Sequence, residues 1–398
     1  MHCGTTYPPA TRGTIVLWGL LASSPFGGMT WQVLHHLAGI RRLGFDVWYV
    51  EDSDRLVYHP TTYWPTAEYT ANVTYLAQQM RCLGLEDRWI FRPPGVYDRC
   101  CGARDLAGLR RLYKEADAVF NLCGAQELRP DHQEVRCLVY LETDPVANQI
   151  GVATGHLPTI EALAAHHHIF TYGENLGAPD CRVPVERFHW QPTRPPACLA
   201  WWTTTAPPAA AAALTTVANW KHPGKDVIWQ GDTYYWSKHY EFQRCINLPS
   251  CSPLPLELAM GGIDEDERAH MHHHGWRMVP SISLADPSAY REYIRTSRGE
   301  FTVAKDQNIR LRSGWFSDRS ACYLAAHRPV ITQDTGFGNI LPTGAGLFAF
   351  TTEQEAVEAI ETVARDYARQ SAAARDIAQE FFAAERVLGD MLRRIGLL

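Results

Sequence analysis

The stretch richest in groups that can do chemistry runs from Arg298 to Phe350. It brings Lys305, Arg310, Arg312, Ser313 and Gly314 together in close succession, just ahead of a helix start. Fixed cations, small residues that allow close backbone approach, and free N–H groups at a helix N-terminus are what a diphosphate requires. Trp315 adds a flat ring for a base or a sugar. Ser317 and Asp318 open the helix, and Asp318 is suited to accept hydrogen bonds from ribose hydroxyls. Asp334, Thr335 and Gly336 form a turn after the next apolar run and are expected to line the sugar end of the same ligand. A plainer reading makes each cation a solvated surface charge and Asp318 a helix cap. It fits any one of these residues equally well, and the cluster less well.

The elements that must position these groups follow from the pattern around them. Residues 300–304 are a short apolar run suited to a buried strand. A basic loop carrying Arg310 and Arg312 comes next, then a helix over 316–326 ended by His327-Arg328-Pro329, then a strand over 330–333. This is a strand, loop, helix, strand unit of the parallel kind, and such units bind ligands beyond the carboxyl ends of their strands.

Together, VAK, RSGWFSDRSACYLA, RPVITQDTGF, LPTGAGLFAF and EAVEAI resemble the donor domain of a GT-B-fold glycosyltransferase, in particular a bacterial, family 4/1-like group. The resemblance implies an α/β fold of two Rossmann-like parallel-sheet domains facing one another across a cleft. It implies an N-terminal acceptor-binding domain over 1–195 and a nucleotide-sugar donor domain over 196–375. A final helix over 376–398 would pack back on the first domain. The implied reaction is transfer of a sugar from a nucleotide-diphosphate sugar, with a UDP-sugar as the default donor, no separate cofactor and no metal. Many retaining members carry two Glu residues eight apart at this helix start. Here Arg310 stands where the first aligns and Asp318 near the second, so retention or inversion stays open. Two other outcomes remain: a GT-B-like sugar-nucleotide epimerase, and a degenerate nucleotide-sugar-binding protein.

The N-terminal half contributes further candidates. Residues 15–21, 31–43 and 46–50 read as strand, helix and strand, which makes the opening a βαβ unit rather than a secretory signal. Its first loop holds Gly27 and Gly28 but lacks the regular GxGxxG spacing of a dinucleotide site, which disfavours a Rossmann oxidoreductase. Glu51 and Asp52 end the second strand, and an aromatic loop over 58–64 follows. The strand over 136–141 ends in Glu142-Thr143-Asp144-Pro145. A carboxylate there is well placed to orient or deprotonate an acceptor hydroxyl, so Asp144 is the first catalytic candidate, with Glu51 and Asp52 behind it. The competing role for Asp144 is an N-cap. Glu174, Asn175 and Lys238 are candidate cleft residues, the last in the run TYYWSKHYEF, which also matches the resembled group. Residues 191–213 are rich in Pro, Thr and Ala and mark the boundary between halves.

Composition narrows the partners. The formal net charge of -6 argues against a general polyanion binder, so nucleic acid is disfavoured as acceptor and a small molecule favoured. Eleven scattered Cys suggest reduced thiols and a cytoplasmic setting rather than a disulfide framework. The His166–His168 and His270–His274 clusters have poor spacing for a single metal ion. No apolar run reaches membrane-spanning length.

Overall fold

Short apolar runs alternate with longer amphipathic ones, and each becomes a strand or a helix of a layered α/β structure. The computed structural model describes residues 7–204 and 208–398. In the first half the strands are β1 (Thr14–Trp18), β2 (Asp46–Glu51), β3 (Val57–Tyr58), β4 (Pro65–Thr66), β5 (Trp89–Phe91), β6 (Cys101–Gly102), β7 (Ala118–Leu122), β8 (Leu138–Glu142), β9 (His168–Thr171) and β10 (Trp190–Pro192). Eight of them form one sheet in the order β10-β9-β8-β7-β1-β2-β5-β6, and β3 with β4 makes a separate hairpin. β1 lies at the centre, with Ile15 opposite both Val47 and Ala118 in parallel register. Its residues are apolar on both faces because helices cover both sides, which is the usual state of a parallel sheet.

The second half repeats the plan. Its strands are β11 (Leu214–Asn219), β12 (Val227–Trp229), β13 (Asp232–Tyr234), β14 (Leu256–Gly261), β15 (Arg277–Pro280), β16 (Gly299–Thr302), β17 (Val330–Gln333) and β18 (Leu347–Phe350). Six make a parallel sheet, β15-β14-β11-β16-β17-β18, and β12 pairs with β13 as a hairpin. The fold is therefore two Rossmann-like parallel-sheet halves facing across a cleft.

The halves are joined by more than a cleft. One apolar core runs from Trp31, Leu34 and Trp202 of the first half to Phe316, Tyr323 and Phe382. The crossing between the sheets is not a solvated linker, because Trp202 is fully buried and donates its indole N–H to His35 Nε2 at 3.0 Å. The chain ends in helices Glu353–Arg365, Tyr367–Ile377 and Ala384–Arg394. The last returns to helix Gly27–Arg42 of the first half, where Arg42 and Glu385 pair at 3.0 Å. Gly39 allows that approach: a Cβ there would fall 2.4 Å from Leu388 Cδ1.

One local difference from the sequence reading bears on function. The expected basic loop after β16 is instead a helix, Asp306–Leu311. Asp306 in its first turn accepts from the Tyr235 N–H at 3.0 Å, and Arg312 ends the helix in the left-handed region at φ 50. Neither arginine lines the cleft between the halves. Among the described residues no helix is long and apolar enough to cross a membrane, and every described cysteine is free.

Candidate anion-binding cleft

A cavity of about 530 Å³ opens between the two sheets, lined from both halves. Helix Gly27–Arg42 presents Gly27, Gly28 and Gln32, and the turn after β8 presents Asp144. From the second half come Lys225, Trp236 and Lys238 of the segment after β11, Lys305 after β16, and Trp315, Ser317, Asp318 and Arg319 at the start of helix Asp318–Ala325. All of these follow the carboxyl ends of strands or occupy helix starts, where backbone N–H groups and loops are free to meet a ligand.

The turn after β8 explains why Asp144 is available. Helix Ala147–Ala153 takes Val146, not Asp144, as its N-cap, and the Val146 N–H is satisfied by Gln149 Oε1 at 2.6 Å. Val146 sits at φ 96, unusual for a β-branched residue and a sign of a tightly imposed turn. Freed from capping, Asp144 reaches across the cleft to Lys305 at 2.5 Å. The Lys305 ammonium also lies 3.2 Å from the centre of the Trp236 ring, a cation over an aromatic face.

Lys238 is the most informative residue in the cavity. It is 7% exposed, yet no carboxylate pairs with it among the described residues. Burial depresses its pKa well below that of an ordinary lysine, and the nearby charges of Arg319 and Lys305 push it the same way. Lys305 is lowered too, chiefly by burial, with Asp144 acting against the shift. Lys225 stands over the same Trp236 ring as Lys305, 4.8 Å from its centre, and is exposed.

Arg319 plays a different part. Its guanidinium is held by Glu300, by the Val217 carbonyl at 2.8 Å and by Thr302 Oγ1 at 3.0 Å. Glu300 is fully buried, so this pair underpins the cavity floor. Removing one member of such a pair leaves an uncompensated charge. Arg319→Met is expected to destabilise the protein by about 3–5 kcal/mol in urea unfolding; a loss under about 1 kcal/mol would show that the pair carries little.

Asp318 completes the cavity. Gln32 Nε2 donates to its Oδ2 at 3.1 Å from the opposite half. Burial raises its pKa to about 7, partly offset by the Gln32 hydrogen bond and reinforced by the charge of Asp144. Two carboxyl groups thus face the cleft in unlike settings, one paired to an ammonium and one retaining its proton to near neutrality.

Several expected site residues lie elsewhere. Arg310 pairs with Asp232 at 3.0 Å and Asp306 at 3.4 Å, and Arg312 pairs with Asp180 and Asp334, each at 2.7 Å. Neither lines the cavity. Ser313, Gly314, Asp334, Thr335 and Gly336 form a seam with Asn175 and its neighbours, outside the cavity. The Asn175 N–H donates to the Ser313 carbonyl at 3.2 Å and its side chain to the Arg312 carbonyl at 2.9 Å. Gly314 at φ 78 makes this seam possible, since a Cβ would fall 2.3 Å from the Asn175 nitrogen. Glu174 is taken by Arg194 at 2.6 Å.

Glu51 and Asp52 also leave the list of cleft groups. Glu51 is buried and binds the N–H groups of Ala22 and Ser23, so it clamps the first loop. Burial raises its pKa against those hydrogen bonds. Asp52 is enclosed by Arg92 at 3.0 Å, Arg129 at 2.5 Å and His132 at 3.7 Å. Burial alone would raise its pKa, but hydrogen bonds from His132 and Arg129 and the two guanidinium charges outweigh it and hold the carboxyl at about 2. A carboxyl depressed in the folded state stabilises above its unfolded pKa and loses that contribution as pH falls toward the folded value. Asp52→Asn is therefore expected to lower stability by at least about 2 kcal/mol at pH 7, with the gap from wild type closing near pH 2 in parallel melts.

Among the described residues no group of three or more His, Cys, Asp or Glu is arranged to hold a metal ion. Sequence reasoning passed over Gln32, Lys225, Trp236 and Arg319. Lys225 and Trp236 had a usable signal, since they follow the first strand of the second half at its carboxyl end.

No family model matches the sequence, and no curated protein matches it. The fold, in contrast, has solved counterparts. AviGT4, a glycosyltransferase involved in avilamycin A biosynthesis, is 8% identical with a TM-score of 0.58 over 96% of each chain. Anabaena Alr3699/HepE, solved with UDP-glucose, is 12% identical with a TM-score of 0.56 over 97% of this chain and 100% of that one. An alpha-glucosyltransferase solved with UDP and a 13-mer DNA containing an HMU base is 10% identical with a TM-score of 0.58 over 97% and 100%. At these identities the likeness establishes the fold, which is that of the GT-B glycosyltransferases.

Proposed function

We propose that the chain is a glycosyltransferase whose cleft takes a nucleoside-diphosphate sugar, with a UDP-sugar the first donor to test. The observation that carries this reading is Lys238, a buried lysine that forms no ion pair among the described residues and stands beside Lys305 in a cavity open to both halves. A buried cation is costly unless an anion joins it. The two structural neighbours solved with UDP or UDP-glucose favour a nucleoside diphosphate as that anion.

In this reading Lys238, Lys305 and Lys225 hold the diphosphate, and Trp236 or Trp315 offers a face to the sugar or base. The new bond joins the acceptor oxygen to the anomeric carbon, while the bond from that carbon to the diphosphate oxygen breaks. The acceptor proton goes to Asp144, and the nucleoside diphosphate leaves with the electron pair, stabilised by the fixed ammoniums. Asp318 presents its carboxyl to hydroxyl groups of the donor.

The acceptor side is aromatic. Phe26 lines the cavity and stacks on Tyr63 at 5.6 Å and 26°, while Tyr58 lies 5.5 Å away and Trp64 is 75% exposed on the same β3–β4 hairpin. These rings suit an uncharged acceptor with a flat or apolar body better than a phosphate backbone. One neighbour is solved with DNA, so the fold itself accommodates a nucleic acid, and duplex DNA belongs in the acceptor panel.

The test is thermal stabilisation by UDP, GDP, ADP and NAD, since a ligand of the native state raises the melting temperature by mass action. Stabilisation by one nucleoside diphosphate, followed by its release from the matching sugar nucleotide, supports the proposal. Stabilisation by NAD alone sinks it.

A further inference from the structure

We infer that the Lys305–Asp144 ion pair is a latch that the donor's diphosphate opens, so that Asp144 is free to accept the acceptor proton only once the donor is seated. The inference rests on the donor reading above and adds an order of events to it.

The geometry sets up a competition. Asp144 is bound to the same ammonium that the diphosphate needs, at 2.5 Å across the two halves. The Lys305 side chain is 11% exposed and the Asp144 side chain 40%, so the ammonium can be reached only from the cavity while the carboxylate can turn toward solvent. The backbone of Lys305 is fixed as the N-cap of helix Asp306–Leu311, which leaves its side chain as the moving part. On the other side, Trp315 Nε1 donates to the Thr143 carbonyl at 2.9 Å and pins the turn that carries Asp144.

A diphosphate brings more negative charge to Lys305 than one carboxylate does, and it repels Asp144 at short range. Lys238 strengthens the pull, because it lines the same cavity as Lys305 and forms no ion pair among the described residues. The ammonium turns to the phosphate and Asp144 loses its partner. The domains stay joined, since Gln32–Asp318 and the seam around Asn175 do not involve Lys305. An acceptor arriving first meets a carboxylate already occupied by an ammonium, which is a poor base. The latch therefore imposes donor-first binding.

UDP titration by calorimetry of wild type, Asp144→Asn, Lys305→Met and the double variant tests this as a double-mutant cycle. Asp144→Asn is expected to bind UDP about ten-fold more tightly, and Lys305→Met more weakly than wild type. In the Lys305→Met background, removing Asp144 is expected to change the affinity by less than about three-fold. Lys305→Gln serves as a second background, so that a folding failure in one leaves the cycle intact. The latch is overturned if Asp144→Asn binds UDP no tighter than wild type. It is also overturned if the gain is the same in both backgrounds, which is plain charge repulsion. Failure of wild type to bind UDP or any other nucleoside diphosphate overturns the donor reading, and the latch with it.

Discussion

Lys238→Met is expected to raise the melting temperature of the ligand-free protein and, in the same molecule, to weaken nucleoside-diphosphate binding by at least about thirty-fold. The two effects share one cause. Lys238 is 7% exposed and forms no ion pair among the described residues, so the desolvation of its charge outweighs the favourable charges of Glu300 and Asp144. A lysine whose folded pKa lies below its unfolded one costs stability at every pH below the unfolded value. Methionine keeps the stem and removes that cost, for a gain of about 1–3 kcal/mol. The bound diphosphate is what the ammonium would otherwise pair with, and losing a buried charge-assisted contact of this kind costs about 2–5 kcal/mol of affinity. Because burial depresses the pKa of Lys238 in the empty site, binding is also expected to take up a proton and to weaken as pH rises. Calorimetry in buffers of different ionisation enthalpy reads that uptake directly. A variant that melts lower than wild type and binds UDP unchanged would mean that Lys238 is a packing residue.

Asp144→Asn is expected to cut turnover by about 10²–10⁴-fold while leaving the protein folded and able to bind UDP. The substitution preserves size and keeps an oxygen that can accept from Lys305, but it leaves that nearly buried ammonium without its partner charge, so a loss of stability short of unfolding accompanies it. What it removes is the group that takes the acceptor proton. The loss is expected in kcat rather than in the affinity for the donor, and a general-base role predicts that the remaining rate loses its dependence on an ionising carboxylate in the acid limb of the pH profile. UDP release from the sugar nucleotide, followed across pH, makes the measurement. Equal turnover in the two proteins would move the base to another residue, with Asp318 the next carboxyl in the cavity.

Much of the architecture was legible before any coordinates. Runs such as TIVLW, AVFNL and LVYLE are short and largely apolar on both faces, as the strands of a doubly covered parallel sheet are. The positions after such strands and at the helix start beyond them were then the places to look, and Asp144, Lys305, Trp315 and Asp318, expected there, line the cavity. The helix Asp306–Leu311 was missed because a polar segment bearing Asp, Gln, Asn and Arg has the composition of a loop. It folds as a helix because Asp306 accepts from the Tyr235 N–H at its start and the Arg182 N–H donates to the Leu311 carbonyl at its end.

The sequence by itself determined two parallel α/β halves, a cation-rich crossing between strands of the second half, and a carboxylate at the end of a strand in the first. Those follow from local periodicity and from where strand ends must lie. Only the tertiary structure decided which charges remain available. Arg310 and Arg312 looked like diphosphate ligands, yet Asp232 and Asp180 neutralise them from far along the chain, joined by the nearer Asp306 and Asp334. Lys238 stands among the cleft candidates in the sequence, yet only folding shows it buried with no ion-pair partner among the described residues. Charge pairing depends on distances of a few ångströms between residues a hundred positions apart, and no local pattern records it.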